Sequence, residues 1–385
     1  MQLDLTEEQR LLEDSAVRFL GKFYGFEDRH HSLASPGGCR PEIWAHFADM
    51  GWLALPFPED AGGFGGGALE TGLLARAMGR HLVVEPFLPC IILAGGVLAR
   101  HAHHADAVAA LTTMMEGGER TALAFQEPAA APVKADADDQ GGWRLTGRKP
   151  LAAGAATAGR LLITACLPDG GRGLFLLPAT APGLTICAAA CLDGTHAADI
   201  TLDSTPAAAG VLLGRASDDT TLLSLDLDAV RLAACWETVG AMRAALEQTV
   251  DYVKQRQQFG RPIAAFQAVQ HKLAEMSVCC EEAEAITILA SLRSGGPAGS
   301  RAGMAAKAKV GRCARLVAKE AVQLHGGMGV SEELPIASYF RKLLAFDLSH
   351  GGTAAANEAY AAAILPGGGH MHSAVLPPPD QGVTA

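Results

Sequence analysis

From Thr6 onward, apolar residues return every three or four positions, and Leu11, Leu12, Val17 and Leu20 share one face of a helix. Thr6 precedes Glu7 and Glu8, a hydroxyl N-cap followed by acidic residues against the positive helix end, so the spacing predicts a helix over about 6–23. Pro41 suits a first helical turn, and Ile43, Trp44, Phe47 and Met50 predict a second helix that stops at Gly51. A glycine-rich loop then leads to a helix starting near Ala68; the loop lacks a P-loop lysine and a preceding βαβ strand, so it does not read as a nucleotide cradle. Between Thr121 and Leu213 the period drops towards two: WRLTG, RLLITACL, GLFLLP and LTICAA are β-prone runs separated by Pro, Gly and Asp. Helical spacing returns beyond Ser217 and is strongest over 228–258, where Leu232, Val239, Met242, Leu246, Val250 and Val253 line one face. Long helices are predicted over about 264–292 and 302–324, separated by a turn, SGGPAGS, at 294–300, with shorter helices over 335–347 and 353–364. The last stretch, PGGGHMHSAVLPPPDQGVTA, has no period and reads as a mobile tail, with His370 and His372 exposed to solvent rather than bound to metal.

The pattern therefore predicts a mostly α protein with an inserted small β domain: a helical N-terminal domain over 1–120, a β middle domain over 121–215, a C-terminal helical bundle over 216–365 and a flexible tail over 366–385. A length of 385 residues agrees with several cores rather than one, since single cores stop growing near ~250–300 residues. Only 5% of residues are aromatic, while alanine and leucine abound, which favours long helices packed on small side chains. The net charge of −10 excludes a general nucleic-acid binder, which needs a basic face.

Nine cysteines, an odd number with no C-x-x-C pair, argue against a disulfide framework and for a reducing setting. Cys279 and Cys280 are adjacent within a helical pattern, so their side chains diverge by about 100° and they do not form a metal site as a pair. No metal is expected. The opening MQLDLTEEQR has no signal-peptide progression and the apolar run over 87–98 is broken by Pro89 and Gly95-Gly96, so the expected location is cytoplasmic with no membrane span.

Candidate chemistry concentrates at YVKQRQQFGRPIAAFQAVQHKLAEM, from Tyr252 to Met276. Lys254, Arg256 and Arg261 flank a Phe259-Gly260 break between two helices, and a cationic elbow with free backbone N–H groups suits a phosphate. No G-x-S-x-G, HExxH, Walker or dinucleotide motif stands in the required context, so hydrolase and metalloenzyme readings find no support.

This segment, together with AVQLHGGMGVSEELPIASYFRK from Ala321 to Lys342, resembles the signatures of the acyl-CoA dehydrogenase family, and the order of domains resembles that family along nearly the whole chain. The resemblance implies FAD bound in extended form between the middle domain and the bundle, with a neighbouring subunit completing the site. It places Arg256 and Phe259 towards the FAD diphosphate and adenine of a partner subunit, and Gln323, Gly326 and Gly327 where the backbone approaches the diphosphate. Gln126, in AFQEPAAAP, stands at the threonine of the family's T-E-P strand, and KPLAAGAA, from Lys149 to Ala156, replaces the aromatic and hydroxyl residues that contact the flavin ring with small apolar ones. Arg231 matches an arginine beside the acyl thioester pocket; a solvated helix arginine is the plainer alternative.

The implied reaction is α,β-oxidation of a fatty acyl thioester to the 2-enoyl thioester, with acyl-CoA as substrate and an electron-transfer acceptor. It needs a base for the α-proton, usually a glutamate. Matching Glu333 to Lys342 without gaps brings that glutamate onto His350, while matching the Gly-Thr pair to Gly352-Thr353, with Thr353 on the cofactor side, brings it onto Gly351. The alternative position, just before Arg231, is Val230. Three readings stay open. His350 is the base, oriented by Asp347 if the helix continues that far. The chain is instead the base-less subunit of a heteromer, for which DLTEEQRLLEDS and LPFPEDAGGFGGG resemble the small subunit of pimeloyl-CoA-type dehydrogenases and related steroid-side-chain enzymes. Or it has left redox chemistry and uses an acyl-thioester pocket for another reaction. As functions, the alternatives are a flavoprotein acting on a carrier-protein thioester or other acid-CH substrate, and a flavin-free scaffolding paralogue. A homo-oligomer and a second acyl-CoA dehydrogenase-like subunit are the two expected assemblies.

Overall fold

Thr6 caps the first helix as its sequence predicts. Its Oγ1 accepts the Gln9 N–H at 3.2 Å, and the Gln9 side chain accepts the Thr6 N–H at 2.9 Å, a reciprocal capping box. The computed structural model describes residues 5–128 and 130–365; the predicted tail over 366–385, with His370 and His372, lies outside them. Helices α1 (Glu7–Phe23), α2 (Phe26–Ala34), α3 (Pro41–Asp49), α4 (Ala68–Arg80), α5 (Gly96–Arg100) and α6 (Ala105–Met115) form the N-terminal part, with a wide π-helical stretch, Phe87–Gly95, before α5. Eight of the nine residues of that stretch are buried. Among the described residues no helix is long and apolar enough to cross a membrane.

Strands β1 (Thr121–Ala124), β2 (Lys134–Ala137), β3 (Trp143–Ala153), β4 (Arg160–Cys166), β5 (Arg172–Pro178), β6 (Leu184–Ala190), β7 (His196–Ala207) and β8 (Leu212–Ala216) form one sheet in the order β6-β7-β3-β2-β4-β5-β8, with β1 parallel to β4. The unbroken apolar run of β4 has a physical reason: both of its faces are covered. Leu162 joins the core of the helices, while Leu161 and Ile163 join a separate core on the other side of the sheet.

The C-terminal part holds α7 (Asp219–Gln255), a two-residue hairpin β9 (Gln257–Gln258) and β10 (Arg261–Pro262), then α8 (Gln267–Leu292), α9 (Gly296–His325), α10 (Pro335–Leu348) and α11 (Gly352–Ile364). The order is the one that the resemblance implies: helical domain, β-sheet domain, helical domain. Two boundaries differ from the sequence reading. SGGPAGS is mostly the first turn of α9, because Pro297 needs no N–H donor there and Gly295, at φ 91°, makes the bend just before it. At the other end of the same reading, α8 begins at Gln267 rather than Ala264, since a 3₁₀ turn, Ile263–Ala265, occupies the preceding residues.

α4 and α7 approach backbone to backbone through glycine. A Cβ on Gly240 would stand 2.0 Å from the Arg76 carbonyl oxygen, and one on Gly79 would stand 1.8 Å from that of Glu237. Backbone cannot step aside as a side chain can. Gly240→Ala is therefore expected to push the helices apart and lower stability by about 1–3 kcal/mol, the usual range for overpacking, read as a lower urea midpoint at unchanged denaturant slope.

Candidate active site

Two clusters of the predicted residues form, one at each half of α7. The first is at its C-terminal end. Arg256 ends the helix, its N–H donating to the Tyr252 carbonyl at 2.8 Å, and Phe259 (φ 54°) and Gly260 (φ 77°) make the tight turn of the β9–β10 hairpin. Arg256 is exposed and the Phe259 ring is 90% exposed at the tip, edge-on to Phe266. Tyr252 stacks on His325 at 4.3 Å between ring centres, and its hydroxyl donates to the His325 carbonyl at 3.3 Å. This stack brings the hairpin beside the end of α9, where Gln323, Gly326 and Gly327 are also exposed. Gly326 has φ 60° and ψ −142°, a conformation reserved for glycine, and a Cβ on either Gly326 or Gly327 would meet open space. The result is a surface with bare backbone and a guanidinium, suited to a diphosphate.

The second cluster surrounds the end of α10. The helix stops at Leu348, and His350 (φ 52°), Gly351 (φ 92°) and Gly352 (φ 78°) reverse the chain in three successive left-handed residues before α11. Asp347 is thereby carried away from the orienting role that a continued helix would allow: its Oδ2 accepts from Arg315 at 2.5 Å. Thr353 packs on Gly311 of α9, so closely that a Cβ there would lie 1.9 Å from its hydroxyl oxygen. Arg231, half-buried on α7, is ion-paired with Asp228, which replaces the solvated-arginine alternative by a fixed one.

Three cations act on the half-buried His350. Burial first, and then Lys307, Arg231 and Lys342, lower its pKa from 6.5 to about 3, so the imidazole is neutral at ordinary pH. Lys342 is held charged: burial opposes its charge, but Glu237 Oε2 at 2.8 Å and Asp193 Oδ2 at 3.3 Å outweigh it and raise its pKa. Lys307 is fully buried, donates to the Phe346 carbonyl at the end of α10, and stacks over the Phe346 ring at 3.5 Å; burial lowers its pKa to about 8. Neither lysine was singled out in the sequence, because a helical lysine reads as solvated. The available signal was spacing, since Lys307 shares the buried face of Gly303, Met304, Val310, Gly311 and Ala314.

Gln126 follows β1 and is half-buried. The residues on either side of it are gripped by Lys149 of β3, whose Nζ donates to the Phe125 carbonyl at 3.2 Å, to Glu127 Oε2 at 2.6 Å and to Thr164 Oγ1 at 2.9 Å. Glu127 also binds Arg172, which reaches Asp219 at the start of α7 at 2.6 Å. The Gln126 segment is thus tied to the N-terminal half of α7, on the side of Arg231. Burial raises the Glu127 pKa, but Lys149 and Arg172 outweigh it and hold the carboxylate below its usual range. Leu151, in the altered KPLAAGAA segment, is 61% exposed at φ 51°.

Comparison with known proteins agrees with the order of domains. The acyl-CoA dehydrogenase N-terminal domain model matches residues 6–117 and the acyl-CoA dehydrogenase C-terminal domain model residues 221–365. Acyl-CoA dehydrogenase FadE27 of Mycobacterium tuberculosis is 30% identical over 328 residues, covering 81% of this chain and 84% of its own. Among solved structures, the Tcur3481-Tcur3483 steroid ACAD G363A variant is similar with a TM-score of 0.81 at 31% identity, covering 92% of this chain and 96% of that one. The ChsE4-ChsE5 complex from Mycobacterium tuberculosis is similar with a TM-score of 0.85 at 25% identity, covering 95% and 100%. With both terminal domains matched and this relative spanning most of both chains, the chain belongs to the acyl-CoA dehydrogenase family.

Proposed function

We propose that this chain is an FAD-dependent acyl-CoA dehydrogenase-type subunit that does not remove the α-proton itself and works beside a second acyl-CoA dehydrogenase-like chain. What supports the reading is the sequence match, which puts the family glutamate on His350 or Gly351, together with the cationic surroundings that Lys307, Arg231 and Lys342 give His350. A general base works best with a pKa near the working pH, and an imidazole lowered to about 3 holds a proton too weakly for that task. The carboxylates nearby are engaged, Asp228 by Arg231, Asp347 by Arg315, and Glu237 and Asp193 by Lys342. Two of the similar solved structures each pair two components, the Tcur3481-Tcur3483 steroid ACAD and the ChsE4-ChsE5 complex.

The residues present fit FAD at its diphosphate end, where Gly326 and Gly327 leave room for the backbone to approach an anion and Arg256 offers paired donors. FAD, when bound, supplies the hydride acceptor. Arg231 and Arg256 are 25 residues apart on one helix and its cap, about 38 Å at the α-helical rise of 1.5 Å per residue. One cofactor cannot touch both ends. Arg256, Phe259, Gln323, Gly326 and Gly327 therefore serve a site on a neighbouring subunit, while Gln126, Arg231, His350 and Thr353 belong to this chain's own. Arg231 and Lys307 leave that pocket cationic, which suits polarisation of a thioester carbonyl rather than proton removal.

The test is the visible spectrum of the chain purified alone, anaerobically, before and after a panel of acyl-CoA thioesters. Flavin bands that stay oxidised alone and bleach once a family chain bearing the glutamate is co-expressed are the expected result. Bleaching of the chain alone overturns the base-less reading and makes His350 the base. A colourless chain that FAD does not reconstitute favours the flavin-free paralogue, and flavin that ignores acyl-CoA even with a partner favours a carrier-protein thioester. Arg256→Ala is expected to lower flavin content of the assembly several-fold with the fold intact; unchanged occupancy removes Arg256 from the diphosphate site.

A further inference from the structure

α8 and α9 bring three metal-ligating groups together, none of them among the residues of the two clusters. Cys279 and Glu282 stand three residues apart on α8, one turn above the other, and Cys313 faces them from α9. The two sulfurs and a Glu282 carboxylate oxygen all lie within 4.8 Å of one another, with Cys313 buried, Cys279 half-buried and Glu282 exposed. Cys313 Sγ is 3.9 Å from Glu282 Oε2, and Lys309 Nζ donates to the same oxygen at 2.6 Å. The adjacent Cys279-Cys280 pair does diverge, as its sequence predicts; the second sulfur comes instead from the neighbouring helix.

We propose that Cys279, Glu282 and Cys313 form a site for a divalent ion of the zinc and cadmium class. Two thiolates select soft and borderline ions, and a carboxylate is a common third ligand to zinc. Zinc–sulfur bonds of about 2.3 Å and zinc–oxygen bonds of about 2.0–2.2 Å need ligand atoms on the order of 3.5 Å apart. The three atoms, at most 4.8 Å apart, therefore close by no more than about 1.3 Å, a rotamer adjustment and not a helix movement. Glu282 lies at the open side, leaving the fourth position to water. Burial, with Cys279 beside it, pushes the Cys313 thiol up to about 12, so the metal-free chain holds it protonated. Binding releases the two thiol protons as two metal–sulfur bonds form, with no change of oxidation state, and Lys309, 27% exposed, gives up Glu282 to the ion and turns to solvent. The bound ion clamps α8 to α9.

The experiment uses the full chain, reduced with a phosphine and freed of metal, titrated with Cd²⁺ and read by its ultraviolet thiolate-to-metal absorption, with Zn²⁺ competing. One equivalent per chain is expected. Cys279→Ser and Cys313→Ser are each expected to weaken binding by at least about 100-fold, since loss of an outer-shell partner alone costs 10–100-fold. Cys187→Ser, an exposed cysteine on β6, leaves it unchanged, and Lys309→Met strengthens it by freeing Glu282. Should Cys313→Ser fail to fold, Glu282→Gln at the exposed position still weakens binding while leaving the helix pair intact. No absorption at one equivalent, or absorption that survives Cys279→Ser and Glu282→Gln alike, overturns the site.

Discussion

Glu127→Gln is expected to destabilise the protein by about 3–5 kcal/mol, the cost of leaving a buried charge without its partner. The Lys149 side chain is 0% exposed and Glu127 only 10%, so water cannot replace the lost carboxylate. Lys149 would retain the Phe125 carbonyl and the Thr164 hydroxyl, two neutral acceptors. Arg172 suffers less, because Asp219 still binds it. The penalty thus falls on the lysine, and removing its charge should return much of the loss: Glu127→Gln/Lys149→Met is expected to be more stable than Glu127→Gln alone. Urea unfolding of the three variants reads this directly. A double variant no better than the single would mean that Glu127 acts through Arg172 and the start of α7. Because Lys149 and Glu127 fix the residues flanking Gln126, the same substitution is expected to loosen flavin in the assembly before it unfolds the chain.

The elements that carry their own local signals were legible in the sequence. Thr6 with Gln9 announces α1, Pro41 starts α3, and Pro335 opens α10. Apolar runs in RLLITACL and GLFLLP give β4 and β5, although the parallel pairing of β1 with β4 is set by tertiary contacts and has no local mark. SGGPAGS was misleading because glycine and proline punctuate both a turn and the first turn of a helix. The site was legible in part. Motif spacing singles out Arg256, Gly326, Arg231 and His350 as candidates, and the helical period over 228–258 already puts Arg231 and Arg256 at opposite ends of one helix, α7. What it does not give is that the Gly326 turn, after α9, comes beside the Arg256 end, which the stack of Tyr252 on His325 brings about. The cationic surroundings of His350 were not legible, because Lys307 and Lys342 are held by partners distant in sequence: the Phe346 carbonyl for one, Asp193 and Glu237 for the other.

Two histidines that burial keeps neutral make the chain sensitive to mild acid. His350 is held near pKa 3 and His81, desolvated beside Arg80, near 4, against an ordinary value of 6.5. Both folded-state values are depressed, so between them and 6.5 the unfolded chain binds protons that the folded chain refuses. Stability therefore rises with pH in that window and is lost as pH falls below 6.5. Each histidine contributes a slope of at most about 1.4 kcal/mol per pH unit, so from pH 6.5 to 5 the expected loss is about 2–4 kcal/mol after allowance for their partial exposure. Glu127 and Asp193 lose their own contributions only lower, as pH falls through the carboxylate range. The histidine window is thus separate. His350→Gln, which keeps a polar side chain but cannot take up the proton, is expected to flatten the slope of urea midpoint against pH by about half. The same neutrality bears on the chemistry. An imidazole that stays unprotonated from pH 5 to 8 gives the flavin response of the assembly no inflection near 6.5, whereas an inflection there that vanishes in His350→Gln would show a histidine free to titrate, and would return it to the role of base.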